Sequence, residues 1–185
     1  TNGTRYFYKV AAVNAAGTSA LSTEASSIPN PVTQPPSDAI HRFLRQSSWG
    51  PTPATMDRVR QIGIDAYLDE QFNTAATPYP DTLLTMPLEW SQEQMVKNAM
   101  SGQDQLRQRV AWALHKIWVV SGVEVSDARA FLHYYRTILN GSFGNYFDLM
   151  RNVTLTPAMG EYLDMVNNFK ATPGNEPNEN YAREL

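Results

Sequence analysis

The residues best suited to chemistry lie close together in the stretch PNENYAREL near the end of the chain. Its two carboxylates, Glu179 and Glu184, could serve as the acid and base of a hydrolase that cuts a polymer. A glycosidase would need such carboxyl groups about 5 to 10 Å apart, beside a cleft with exposed aromatic rings such as Trp90 and Trp112. Glu179 and Glu184 are therefore the catalytic candidates, and the candidate binding groups are their polar neighbours: Asn178, Asn180 and Arg183.

The same stretch also has a purely structural interpretation, as the start of a helix. If Asn178 caps that helix, Glu179 enters the first turn, where the helix dipole favours a negative charge. Arg183 follows Glu179 by four residues, which is the spacing of a salt bridge on one helix face. This interpretation places Tyr181 and Leu185 on the inward side. It leaves two polar residues without a structural role: Asn180 and Glu184. Both interpretations are open from the sequence.

Arg107 is a further candidate binding residue, because its charged side chain is predicted to lie on the apolar face of a helix. On a helical wheel for residues 106–121 it falls among apolar side chains, between the directions of Leu114 and Trp118. An unpaired buried charge is costly, so the guanidinium must find a carboxylate or carbonyl oxygens. Arg107 is either part of a structural ion pair or an arginine that faces a substrate. The wheel assigns the buried face of this helix to Leu106, Val110, Ala113, Leu114, Ile117 and Val120.

Metal and cofactor sites are not indicated by the sequence. The three histidines, His41, His115 and His133, are far apart and form no HExxH pair, and the chain has no cysteine. The sequence also lacks a nucleophile elbow, a phosphate-binding glycine loop and a dinucleotide-binding fingerprint. Glu161 and Asp164 lie three residues apart in a predicted helix and could hold a cation, although such a pair more often forms a solvated face. We therefore predict no metal ion and no cofactor.

Composition and charge exclude several classes of protein. Apolar residues make up 42% of the chain and aromatic residues 11%, which is typical of a folded domain rather than a disordered chain. Fifteen basic and 18 acidic residues give a net charge of −3, so a nucleic acid is not expected as a partner. The most apolar run, VAWALHKIWVV, is too short to cross a bilayer, so no membrane span is predicted.

The elements that must position these groups are helices, because helical periodicity and helix-terminus signals follow one another from Ser37 onward. Ser37 is expected to cap the first helix, Thr52 to cap the second, and Gly63 to end it. Ser91 opens a capping box with a glutamine three residues later. A later helix turns His133 to the solvent and carries an apolar stripe: Phe131, Leu132, Tyr135, Ile138 and Leu139. The predicted fold class is mainly α, a multi-helix orthogonal or bundle-like domain fragment.

Residues 1–28 are assigned to a separate β unit, because residues 4–14 alternate with a period of two, which is typical of a strand. TRYFYKVAAVN and ALSTEASSIP, joined by the turn AAGTS, are predicted to form a β-hairpin. GTRYFYKVAAVNAAGTSALS resembles the last two strands of a fibronectin type III domain, with Tyr6 at its tyrosine corner and Asn14 and Gly17 in its closing turn. The resemblance implies that the hairpin is left from a sandwich whose earlier strands lie upstream. Residues 29–37 contain four prolines and are predicted to be a stiff linker.

Four motifs of the helical part resemble, in this order, a bacterial family known as domain of unknown function 1800: RFLRQSSWGPT, QLRQRVAWALHKIWVVS, FGNYFDLMRNVTLTPAMGEYLD and NENYAREL. The resemblance covers residues 41–185, and we assign residues 38–185 to this domain. In that family the last helix continues into a long further portion, so the resemblance implies that the chain is the N-terminal part of a truncated domain. The activity of the family is not established, and the resemblance therefore suggests no reaction.

Together these features predict an exported, modular bacterial protein that acts outside the cell or at the cell surface. The first hypothesis is a binding or structural module, in which a fibronectin-like spacer presents the helical domain to an extracellular polymer or a cell-surface protein. The alternative is a hydrolase that acts on an extracellular polymer such as a polysaccharide through helix-borne carboxylates. The hydrolase hypothesis has one geometric requirement: Glu179 and Glu184 must point into one shared cleft.

Overall fold

The computed structural model describes residues 4–28 and 34–184, and it is mainly helical, as predicted. In the described part of the chain no helix is both long and apolar enough to cross a membrane. The helices are α1 (Ser37–Ser47), α2 (Pro53–Ile62), α3 (Ile64–Asn73), a 3₁₀ helix (Asp81–Thr85), α4 (Leu88–Ser101), α5 (Gln105–His115), α6 (Ala128–Gly141), α7 (Tyr146–Thr154), α8 (Pro157–Tyr162) and α9 (Asn180–Glu184).

A small antiparallel hairpin precedes the helices, as predicted. Its strands are β1 (Tyr6–Tyr8), β2 (Val13–Asn14), β3 (Gly17–Thr18) and β4 (Ala25–Ser27). The outer ladder pairs β1 with β4, and the inner ladder, next to the turn, pairs β2 with β3. Between the ladders the hydroxyl oxygens of Ser19 and Ser22 accept hydrogen bonds from backbone N–H groups of the opposite strand, each at 3.0 Å. Large apolar side chains stay exposed on the hairpin: Phe7, Tyr8, Val10, Val13 and Leu21. The hairpin therefore buries little apolar surface by itself.

The predicted linker falls largely outside the described residues, which omit residues 29–33. The stiffness of that segment therefore stays a prediction. The same holds for the inward position of Leu185, which also lies outside the described residues.

The helices form two apolar clusters. The smaller cluster joins α1, α2 and α3 through Ile40, Leu44, Val59 and Tyr67. The larger cluster is organised around α6, whose neighbours include α5, α7, α8 and the 3₁₀ helix. The predicted stripe of α6 is buried in full and His133 is exposed, both as expected. Burial of this stripe supplies the main hydrophobic stabilisation of the helical domain.

Helix termini follow the sequence signals in some places and depart from them in others. Thr52 caps α2, and Gly63 ends it with a φ of 86°, a left-handed conformation that favours glycine. Ser37 is the first residue of α1 rather than its cap, since the chain enters that helix from Pro36. Likewise α4 begins at Leu88, so Ser91 is a buried residue of the first turns and opens no capping box. In both cases a proline placed before the helix sets its start.

The helix α5 is shorter than predicted, and its buried face is a different one. It ends at His115, and Ile117, assigned to the core, is exposed. The side chains that α5 buries are Gln108 and Ala111. This face is buried because of a hydrogen bond between polar side chains. Gln108 Nε2 donates to the buried carboxylate of Asp104 at 3.0 Å, which turns this side of the helix inward. A search for apolar periodicity cannot register a buried glutamine.

The helix α8 is also shorter than predicted and ends at Tyr162. Asp164 follows it with a φ of 59°, so its backbone is left-handed and no longer helical. The expectation that Glu161 and Asp164 share one helix face is therefore wrong.

Candidate functional site

A cleft of about 350 Å³ opens between α8, α9 and the connection that follows α5. It combines an apolar floor with carboxylate and amide groups. Its lining residues include Trp118, Met159, Leu163, Glu124, Asn180 and Glu184. Two of the predicted site residues, Asn180 and Glu184, thus lie together with Tyr181 of the same motif in a concave site of the size that binds small ligands.

The helix α9 is held against the cleft by two anchors. The first is Asn168, whose side chain bonds both the backbone N–H and the carbonyl of Asn178, at 2.8 and 2.7 Å. The second is Tyr181, whose ring packs on the main apolar cluster and whose hydroxyl bonds that of Thr154. Asn178 Oδ1 in turn accepts the N–H of Asn180 at 2.9 Å, which fixes the start of the helix. Local hydrogen bonds therefore determine where Asn180 and Glu184 point.

The two catalytic candidates are not brought together. Glu184 lines the cleft, whereas Glu179 is exposed and pairs with Arg183 at 3.3 Å, the salt bridge of the structural interpretation. Arg183 is exposed as well, and its second contact is with Asn180 Oδ1 at 3.3 Å. Neither Glu179 nor Arg183 is among the residues that line the cleft.

Glu124 is the second carboxylate of the cleft, and it was not among the site residues predicted from the sequence. It lies in the connection between α5 and α6, far from Glu184 along the chain. The only available signal was a single charge in the otherwise apolar run IWVVSGVEV. The aromatic residues that line the cleft are Trp118, Tyr162 and Tyr181, whereas Trp90 and Trp112 do not line it.

The electrostatic character of the cleft follows from these side chains. Glu124 and Glu184 are acidic, and none of the described residues that line the cleft is basic. Ionised carboxylates only accept hydrogen bonds. The amide of Asn180 is already engaged, because its Nδ2 donates to Asp164 Oδ2 at 3.2 Å and its Oδ1 accepts from Arg183 Nη2. The cleft is thus suited to hydroxyl groups or a cation and is unfavourable for an anion. Among the described residues, however, no cluster of three histidine, aspartate or glutamate side chains could hold a metal ion.

Arg107 lies on α5 and is not among the residues that line the cleft. Its Nη2 donates to the carbonyl of Thr74 at 3.3 Å, and its guanidinium carbon lies 4.3 Å from the centre of the Phe143 ring. Its Nε is buried without a hydrogen-bond partner. The ion pairs of the described residues do not include Arg107, so the predicted structural ion pair is not formed. A carbonyl oxygen, the other predicted partner, and an aromatic face contact the guanidinium instead.

Replacement of Arg107 separates its structural from its ligand-binding interpretation. Arg107→Ala removes the contacts to Thr74 and Phe143, so we expect the free energy of unfolding to fall by about 1 to 2 kcal/mol. Arg107→Met keeps the aliphatic packing and should lose less. Urea denaturation measures both, with Arg129→Met, an exposed arginine, as the control. An Arg107→Ala protein of unchanged stability that loses polysaccharide binding would instead identify a ligand-facing arginine.

Comparison with known proteins gives one match. The sequence model of a family described as Protein of unknown function (DUF1800) matches residues 42–185. No curated protein and no solved structure matches this chain. The match begins within α1, covers the rest of the helical domain and includes every residue of the cleft.

Proposed function

We propose that this chain, which belongs to the DUF1800 family, is a binding module that holds a hydroxyl-rich extracellular polymer, such as a polysaccharide, in the cleft formed by α8 and α9. The observation that carries the proposal is the combination of an apolar floor with acceptor groups in one cleft. Ile117 and Val119, which are 59% and 50% exposed, offer surface to the apolar face of a sugar ring, and the carboxylates of Glu124 and Glu184 accept hydrogen bonds from its hydroxyl groups.

The proposed setting is an exported bacterial protein that works outside the cell or at the cell surface. The exposed apolar side chains of the hairpin support this setting, because strands taken from a fibronectin-like sandwich would normally bury them against a second sheet. A spacer of this kind would present the helical domain to the polymer. A cell-surface protein as the partner is the less favoured alternative, since the cleft has the size of a small-ligand site.

A second candidate function is hydrolysis of that polymer. It is favoured by the two carboxylates in one cleft, although the pair is Glu124 and Glu184 rather than Glu179 and Glu184. In a glycosidase one of them would be protonated and donate to the leaving oxygen, while the other would activate water or attack the sugar. Glu179 has no part in this candidate mechanism because it pairs with Arg183 on the solvent side.

Neutralising the cleft carboxylates one at a time tests the proposal. With cellulose, chitin and xylan as immobilised probes, we expect the chain to be retained by at least one of them. Glu184→Gln and Glu124→Gln should each weaken that retention about 10-fold, because a charge-assisted hydrogen bond becomes a neutral one. Affinity electrophoresis in the soluble polysaccharide provides the dissociation constants.

Glu179→Gln is the matched control, since it removes an equal charge from the same stretch outside the cleft. Its binding should equal that of the unmodified chain. A loss of binding in Glu179→Gln as large as in Glu184→Gln would contradict the cleft as the site. Release of reducing sugar that stops in Glu124→Gln and Glu184→Gln but persists in Glu179→Gln would favour the hydrolase over the binding module.

A further inference from the structure

A second surface of the domain combines aromatic rings with positive charges. Trp49 follows α1, and Trp112 lies on α5, with their ring centres 5.5 Å apart at an interplanar angle of 74°. The guanidinium carbon of Arg109 lies 5.4 Å from the Trp49 ring centre and 5.1 Å from that of Trp112. Lys116 Nζ lies 4.9 Å from the Trp112 ring centre. We call these four residues the tryptophan patch.

The two cations of the tryptophan patch have no acidic partner among the described residues. The ion pairs of residues 4–28 and 34–184 include neither Arg109 nor Lys116. The cation–π contacts orient both groups but leave their charges uncompensated. In a chain with a net charge of −3, the patch is thus a local positive region that attracts an anion.

An apolar depression adjoins the tryptophan patch. Its volume is about 200 Å³, and Trp49 forms one wall, while residues of α4 form the rest: Met95, Val96, Ala99 and Met100. Met100 is 80% exposed and Trp49 is 40% exposed, so the depression is open to a ligand. It is smaller than the roughly 300 to 1,000 Å³ of pockets for drug-sized molecules, which limits it to a group of about one ring.

We propose that the tryptophan patch binds an acidic sugar chain, a polysaccharide that carries carboxylate or sulfate groups. The apolar face of one sugar ring would pack on Trp49 in the depression, and its anionic group would pair with Arg109 and Lys116. This ligand differs from that of the α8–α9 cleft, whose acidic lining disfavours anions. The inference therefore goes beyond the proposed function and does not rest on it.

Charge and shape favour an acidic sugar over the other anionic polymers. A nucleic acid is held by many cations along its phosphate backbone, whereas the patch offers two. Sugar rings present C–H groups that pack on an indole face, and a single ring suits the size of the depression. Uronic acids and sulfated sugars share the required chemistry, and the experiment distinguishes them.

The test measures binding of the whole chain to polygalacturonate, dextran sulfate and uncharged dextran by isothermal titration calorimetry. We expect one or both acidic polymers to bind more tightly than dextran, an uncharged polysaccharide that only the α8–α9 cleft could hold. Raising the salt concentration from about 50 to about 500 mM should markedly weaken the binding of the acidic polymers, because salt screens the charges. Preference for polygalacturonate indicates uronic acids, and preference for dextran sulfate indicates sulfated sugars. Arg109→Gln and Lys116→Gln should each weaken the binding about 10-fold, and Trp49→Ala should weaken it at least as much.

Two controls keep this test decisive. Arg129→Gln removes an exposed cation that pairs with Asp127 and should leave the binding unchanged. The melting temperatures of all variants are compared with that of the unmodified chain. Lys116→Gln should keep the unmodified melting temperature, because it changes an exposed side chain at the end of α5. Binding that the patch variants leave unchanged, equal binding of dextran, absence of binding to both acidic polymers, or tighter binding of single-stranded DNA would each overturn the proposal.

Discussion

Asp104→Ala should lower the free energy of unfolding by about 3 to 5 kcal/mol, the largest loss expected for any single polar side chain of the domain. Asp104 is fully buried and accepts three hydrogen bonds. Thr77 donates its N–H at 3.0 Å and its hydroxyl at 2.5 Å, and Gln108 donates Nε2 at 3.0 Å. Alanine would leave these donors buried without an acceptor, and each unsatisfied donor costs about 1 to 3 kcal/mol.

The residues around Asp104 are packed so closely that they cannot rearrange to replace its carboxylate. A Cβ atom added at Gly102 would come within 2.5 Å of the Asn98 carbonyl oxygen and 2.9 Å of Asp104 Oδ1. The corner between α4 and α5 is therefore tightly packed, and the chain cannot readily close over a missing carboxylate. Since α5 starts at this corner, the loss would also disturb the position of Trp112 and Arg109 further along that helix.

Urea denaturation followed by tryptophan fluorescence measures the free energy of unfolding of Asp104→Ala. Two further variants provide the comparison. Asp104→Asn keeps the shape and can still accept from the Thr77 N–H and from Gln108, so its loss should be about 1 kcal/mol. Asp127→Ala removes an exposed acid that caps α6 through the Arg129 N–H, and its loss should also be about 1 kcal/mol. An Asp104→Ala protein within 1 kcal/mol of the unmodified chain would contradict the structural role of this network.

Stability should also fall as the pH falls from 6.5 to 4, and His115 should cause a large share of that loss. Burial, assisted by the nearby positive charge of Lys116, lowers the pKa of His115 from 6.5 to about 4. The ring lies between Tyr134 and Tyr135, with centre distances of 5.1 and 5.0 Å. No acid is among these neighbours, so nothing there stabilises the protonated imidazole.

The direction of this pH effect on stability follows from proton linkage. Between pH 6.5 and 4 the unfolded chain protonates this histidine and the folded chain does not, so protons favour unfolding. The contribution of His115 is thus fully present above pH 6.5 and is lost progressively toward pH 4, by about 3 kcal/mol in all. Denaturation curves at pH 7, 5.5 and 4.5 measure it.

A glutamine at this position cannot titrate, so His115→Gln should show a much smaller loss of stability between pH 7 and 4.5. His133→Gln changes an exposed histidine and should keep the full pH dependence of the unmodified chain. If His115→Gln retained that full dependence, the loss would have to come from carboxylates, and the assignment to His115 would be wrong.

Local signals in the sequence predicted much of the helical architecture. The Thr-Pro start and glycine end of α2 act within a few residues, so they were found correctly. The stripe of α6 is purely apolar and was predicted in full. The buried face of α5 depends on Asp104 and Gln108, whose partner Thr77 is distant in sequence, and periodicity therefore gave the wrong face.

The candidate site was predicted in part. The sequence identified the stretch that forms α9, and Asn180 and Glu184 line the cleft. Glu124 was missed because the chain beyond α5 approaches α9 only through tertiary packing. The separation of Glu179 from Glu184 agrees with the structural interpretation of the sequence, since Glu179 pairs with Arg183 four residues later while Glu184 lines the cleft.

The most direct test of the α8–α9 cleft uses the four tryptophans of the chain as separate reporters. Their indole N–H signals can be followed by NMR during titration with cello-, chito- and xylo-oligosaccharides. Because Trp118 lines the cleft and Trp90 does not, we predict that a binding oligosaccharide shifts the Trp118 signal in a saturable manner and leaves the Trp90 signal in place. An oligosaccharide that binds without moving the Trp118 signal, or a failure of all three series to bind, would contradict the account.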